Sequence, residues 1–167
     1  MEHFKLFLGE ESVMRILSPA FSNGSDIPER YTCAGLNVNP CVFIEDIPPE
    51  AKSFCFVVDD PDSANGYWVH WVVYDIPIIS QINEDSVPGK QGLNSFNKKC
   101  YSGPCPSEGK HRYFFTLYAI DKMLNLDEGI TIEDLKDVMT GHVIAEARLL
   151  GLFEKAKSAA SYEKVQI

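Results

Sequence analysis

The sequence predicts a single mainly β domain, 1–167, with one clear helix. Three observations predict it. Apolar runs of strand length recur at 54–58, 67–76 and 113–120; paired capping signals for a helix occur only at 131–141; and 167 residues with 45% hydrophobic content match the size of one domain with its own core. No internal repeat and no low-complexity segment interrupts the chain.

Residues 22–39 are rich in Gly, Pro, Asn and Ser and read as a long loop. Residues 40–47 follow, with Val42-Phe43-Ile44 as strand formers and Pro48-Pro49 as the stop. Residues 54–58 form a continuous apolar run between Pro49 and Asp59-Asp60-Pro61, the pattern of a short strand buried on both faces. The turn at 62–66 leads into 67–76. There, simple alternation places Trp68, His70 and Val72 on one face and Val69, Trp71 and Val73 on the other.

Residues 78–99 have no period and read as a long surface connection. Residues 113–120 are rich in aromatic and β-branched side chains that suit a pleated surface. Thr131-Ile132-Glu133-Asp134 forms a helix cap, with Leu135, Val138 and Met139 as the apolar stripe and Gly141 as the stop. Residues 143–155 have good helix propensity, and only the family resemblance described below assigns them to a strand. Residues 158–167 are polar and read as a short helix or frayed tail.

A net charge of −9 and a pI near 4.8 argue against nucleic acid or an anionic membrane as main partner, since both repel this chain at long range. An anionic ligand must be attracted locally. No run of about 18 apolar residues is present, and residues 4–8 are too few for a secretory signal, so a cytoplasmic location is expected. The five cysteines, 33, 41, 55, 100 and 105, are an odd number in a chain too large to need staples, and reduced thiols are expected. Cys55 reads as core filler. Cys100 and Cys105 bracket Tyr101-Ser102-Gly103-Pro104, close enough for a redox-active bridge if that turn brings their Cα atoms within about 7 Å.

Two clusters concentrate the chemistry: Asp59-Asp60-Pro61-Asp62 leading to Trp68-Val69-His70-Trp71, and Gly103-Pro104-Cys105-Pro106 leading to Gly109-Lys110-His111-Arg112-Tyr113. Each adjoins a strand, so packing of the strands can bring His70 and His111 to one site. Two imidazoles, a carboxylate and a proline-stiffened glycine turn make a polar cup suited to an anion. Plainer roles exist for each residue. A strand histidine is commonly satisfied by a carbonyl, Asp60 and Asp62 can shape the turn around Pro61, and Trp68 and Tyr113 can be core aromatics. Arg112 is expected to point away from His111 and pair with a carboxylate. His3 and His142 are expected at the surface without partners.

These clusters resemble the motifs of the phosphatidylethanolamine-binding protein family, also called Raf kinase inhibitor-like proteins, in particular its bacterial branch. Asp60-Pro61-Asp62 with Trp68 and His70 matches the first motif, and Gly103-Pro104-Cys105-Pro106 with Gly109-Lys110-His111-Arg112-Tyr113 the second. A weaker match covers Tyr31-Thr32-Cys33, Gly35 and Pro40, and the whole resemblance spans about residues 16–155. It implies a β-sandwich of antiparallel Greek-key sheets with one or two short peripheral helices, and a homodimer. It further implies a pocket in which Asp60 holds a histidine, Asp62 lines the rim, Trp68 and Tyr113 form walls, and His70 and His111 face the ligand. A carboxylate fixes an imidazole's tautomer, so the held histidine is expected to present an N–H. Gly103 and Pro104 are expected to let backbone N–H groups cradle oxyanions.

Departures are Ser63-Ala64-Asn65 where the family has a second proline, and Ala34-Gly35-Leu36-Asn37 where the bacterial pattern is acidic. Nothing here matches the C-terminal helix that borders the site in mammalian members. The leading expectation is a non-enzymatic module binding phosphate, phosphoethanolamine or a phosphorylated or carboxylated group of a partner, able to modulate a kinase or protease, with no cofactor. No nucleophile elbow, zincin motif or P-loop is present. The alternative is a metal-assisted or acid-base hydrolase using Asp60, Asp62, His70 and His111. A third possibility is a redox-responsive interaction protein governed by Cys100 and Cys105.

Overall fold

The structure, a computed structural model, describes residues 13–156. Its strands are β1 (Arg15–Leu17), β2 (Ser25–Asp26), β3 (Val42–Glu45), β4 (Ser53–Asp60), β5 (Trp68–Ile76), β6 (Gln81–Ile82), β7 (Lys90–Gln91), β8 (Lys110–Ile120) and β9 (Val143–Glu154), with one α-helix, α1 (Ile132–Met139). β4 grows from the most apolar run and has both faces covered. Phe54, Phe56 and Val58 enter one core, Cys55 and Val57 another. A strand with no polar face must lie inside the sheet, and β4 runs between β8 and β5 in the six-stranded order β2-β9-β8-β4-β5-β7.

A second sheet, β1-β3-β6, packs its Ile16, Val42, Ile44 and Ile82 on Phe56, Trp71, Phe115 and Leu117 of the first. The molecule is thus a mainly β sandwich, antiparallel except where β2 joins β9 in parallel. On the far side of the large sheet, α1 lays Ile132, Leu135 and Met139 over Cys55, Val57, Val69, Val72 and Tyr74. The Thr131 hydroxyl caps it by accepting the Asp134 N–H at 3.1 Å, and Gly141 takes φ +81° just past its end.

β9 is a strand despite its helix propensity. Its pairing with β8 runs from Val143 opposite Ile120 to Glu154 opposite Lys110, and Ala147, Leu149 and Phe153 fill the inter-sheet core at period two. Two stretches expected as loop or connection carry short pairings. Residues 22–39 contain β2 and a 3-10 turn at Glu29–Tyr31, and residues 78–99 contain β6 and β7. Such two-residue strands exist only by virtue of their partners.

The alternation expected along β5 fails at two places, the pairing shifting between Phe54 and Phe56 and again between Val58 and Asp59. Val58 stands opposite Trp71 but Asp59 stands opposite Val69, so His70 is the extra residue of a β-bulge. Val69 therefore joins Val72 on the helix side, while Trp71 and Val73 face the inter-sheet core. His70 packs beside Tyr113, also of that core, and not with Val72 as expected. The expected tail at 158–167, His3 and the segment 4–8 lie outside the described residues.

Candidate functional site

The end of β4 and the start of β8 are neighbours, with Asp59 opposite Phe114, and this register brings the two motif clusters together. Asp60 Oδ2 lies 2.7 Å from His111 Nδ1, and Asp60 Oδ1 accepts the Asp62 N–H at 2.7 Å across Pro61. Asp60 is buried, and His111 is nearly so. Asp62 does not offer a free carboxylate at the rim. Its oxygens accept from the Arg112 backbone N–H at 3.0 Å, Nε at 3.0 Å and Nη2 at 2.9 Å, and these bonds hold its pKa down to about 2. Arg112 is the loop brace expected, and the four-residue hydrolytic set has one carboxylate already committed to it.

His70 is held from the other side. Its Nδ1 is 2.6 Å from the Ser102 carbonyl, which can only accept, so Nδ1 carries the proton. Burial pushes its pKa down, opposed by that hydrogen bond. Tyr113 lies between the two imidazoles, 5.4 Å from the His70 ring centroid and 6.4 Å from that of His111. The Tyr113 hydroxyl is buried without a hydrogen-bond partner, alone in this among the described side chains. Burial and then the neighbouring Asp60 carboxylate push its pKa up and the Cys105 backbone acts against them, although neither group meets hydrogen-bond geometry with the hydroxyl.

The tautomers differ from expectation. Asp60 draws the His111 proton to Nδ1 as Ser102 does for His70, so Nε2 of each neutral ring presents a lone pair. Neither Nε2 has a protein partner among the described residues, and an N–H there requires the imidazolium.

Gly103 and Pro104 serve a role different from the expected cradle. The Gly103 N–H donates to Asn37 Oδ1 at 2.7 Å and the Ser102 N–H to the His70 carbonyl at 3.1 Å, while proline has no N–H. Glycine is required because a Cβ at 103 would collide with the Tyr31 carbonyl and the Asn37 side chain. The same contact decides the cysteine chemistry. Cys33 and Cys105 form a disulfide with Cα atoms 5.4 Å apart, whereas Cys100 is free and exposed, and Cys41 and Cys55 are free. The Cys100–Cys105 pair is overturned, and the expectation of reduced thiols fails at Cys33 and Cys105 while Cys41, Cys55 and Cys100 are free as expected. Tyr101 Oη donates to the Tyr31 carbonyl at 2.8 Å and the Cys33 N–H to the Pro104 carbonyl at 3.1 Å, docking segments far apart in sequence.

Several residues were not legible from sequence. Asn94 is buried and donates to the carbonyls of His70 (3.3 Å) and Cys100 (2.9 Å) and to Ser102 Oγ (3.2 Å), bracing the bulge against the turn. Its own Asx-type bond from the Phe96 N–H was the available signal. Phe96 lies edge-on to Trp68 at 5.5 Å and to His70 at 5.6 Å, forming an aromatic rim. His142, expected without a partner, is 2.8 Å from Asp121. Among the described residues, no three His, Cys, Asp or Glu side chains gather as a metal site, and no helix is long and apolar enough to cross a membrane.

The family model for phosphatidylethanolamine-binding protein matches residues 17–154. The chain belongs to the phosphatidylethanolamine-binding protein family. A UPF0098 protein of Chlamydia trachomatis is 42% identical over 149 residues, covering 85% of this chain and 99% of its own, and a UPF0098 protein of Methanothermobacter thermautotrophicus is 42% identical over 150 residues, at the same coverages. The crystal structure of the family homolog CT736 from Chlamydia trachomatis superposes with a TM-score of 0.84 at 41% identity, covering 86% of this chain and 99% of that one. Escherichia coli YbcL, a member of the family, shares the fold at a TM-score of 0.80 and 22% identity, with 87% and 100% covered.

Proposed function

We propose that this family member is a non-enzymatic binding protein whose cup takes a small phosphate or phosphate monoester, phosphoethanolamine included, or a phosphorylated side chain of a partner. The observation that carries the reading is the unpartnered Tyr113 hydroxyl set between two histidines whose Nε2 atoms have no hydrogen-bond partner among the described residues. A buried hydroxyl without a partner costs about 1–3 kcal/mol, which a ligand oxygen would recover once the side chains covering it part. Tyr113 donates to one oxygen. His70, kept neutral by burial, accepts from a protonated phosphate oxygen. His111, held in place by Asp60 at 2.7 Å, turns its Nε2 toward the same ligand. Trp68 and Phe96 cover the organic part of the ligand. Insertion of a phosphorylated segment is the route by which such a protein would modulate a kinase or protease.

Isothermal titration with inorganic phosphate and O-phosphoethanolamine tests this. The wild type should bind both, and His111→Ala should bind at least tenfold more weakly. No binding, or equal binding by wild type and variant, refutes the reading.

A further inference from the structure

Strand alternation places a second pocket back to back with the cup. Asp59 follows Cys55 and Val57 to the helix side of the large sheet, Phe114 and Tyr118 leave Tyr113 and Leu117 on the other face, and Arg148 stands opposite Thr116 on β9. Helix α1 covers only part of this face. Beside it is a pocket of about 270 Å3 lined by Asp59, Pro61, Tyr67, Phe114, Tyr118, Lys136 and Arg148.

Its chemistry is unusual for a chain of net charge −9. The Lys136 ammonium sits 4.7 Å from the centre of the Tyr67 ring and has no ion-pair partner among the described residues. Arg148 rests 5.5 Å over Phe114 and pairs with Glu146 through Nε alone, at 3.2 Å. Asp59 accepts the Tyr67 hydroxyl at 2.9 Å, and burial raises its pKa although Arg148 and Lys136 act against this. Two cations on aromatic walls can receive an anion with a flat apolar body. Asp59 disfavours a dianion such as phosphate, and a volume below the roughly 300–1,000 Å3 of drug-sized sites admits only a small molecule.

We propose that this pocket is a second ligand site, for a small aromatic carboxylate, with its carboxylate between Lys136 and Arg148 and its ring against Phe114 and Tyr118. The site stands independently of the anion reading of the cup.

Phenylacetate titrated into the 15N-labelled full chain, followed by amide shifts, tests it. Shifts should centre on Phe114, Lys136 and Arg148. Half-saturation should rise at least fivefold in the exposed-residue variants Lys136→Gln and Arg148→Gln, stay unchanged in His111→Ala, and rise at least threefold with cyclohexylacetate as probe. Absence of shifts, shifts centred on the cup and abolished by His111→Ala, or full affinity in both Lys136→Gln and Arg148→Gln would overturn the proposal.

Discussion

In the proposed reading Tyr113 sets stability against binding. Its hydroxyl is buried and unpaired, so Tyr113→Phe removes an unsatisfied polar group and should raise stability by up to about 1–3 kcal/mol while weakening phosphate binding. Urea denaturation and calorimetric titration of the same sample check both signs, and a loss of stability would show that the hydroxyl already has a partner. His70 gives a pH signature. Burial holds its native pKa below the roughly 6.5 of an unfolded imidazole, so beneath that value the unfolded chain binds more protons. The associated stability is complete above about pH 6.5 and is lost as pH falls toward the depressed native value. The urea midpoint should therefore fall on acidification from pH 7 to 5, and fall less in His70→Gln; equal slopes would contradict the assignment. The clusters around Asp60, His70, His111 and Tyr113 were legible because each adjoins an apolar strand. The bonding of each atom was not. That Asp62 is occupied by Arg112, and that Gly103 is pinned by Asn37, depend on contacts 50 and 66 residues apart.

Elements with their own local signal were readable, and those made by pairing were not. β4 carries the continuous apolar run 54–58 and α1 its cap and stop, so both could be placed from sequence. The bulge at His70, the short strands β6 and β7, and the docking of the Cys33 loop on the Cys105 turn arise only when distant segments meet. Leu135 of α1 is fully buried against the large sheet, and Leu135→Ala should cost about 2–5 kcal/mol. A cost under about 1 kcal/mol in denaturant would mean that the helix does not seal this core. The Cys33–Cys105 bridge spans a sequence separation of 72 residues. Loop-closure entropy then gives about 4 kcal/mol of stabilisation. Dithiothreitol should lower the urea midpoint of the wild type accordingly and leave Cys33→Ser unmoved. A wild type insensitive to reductant would contradict the bridge.

On the scale of the molecule, the sandwich gives the large sheet two chemically distinct faces at one end, the His70–Tyr113–His111 cluster on the inter-sheet side and the basic aromatic pocket on the helix side. The overall charge of −9 opposes anions at a distance, so selectivity for a small anion must come from the few groups it touches. The protein should accordingly pass unretained over heparin at low ionic strength, and retention there would contradict this charge argument. Composition and motif order made the fold class readable. The mixed pairing, with β2 parallel to β9, was not, because two residues carry no directional signal. The cup's binding geometry is tested most directly by a crystal structure with phosphate soaked in at saturating concentration. The account predicts one phosphate with oxygens in hydrogen-bond reach of Tyr113 Oη, His70 Nε2 and His111 Nε2 together; phosphate bound elsewhere, or a cup that remains empty of it, would contradict the account.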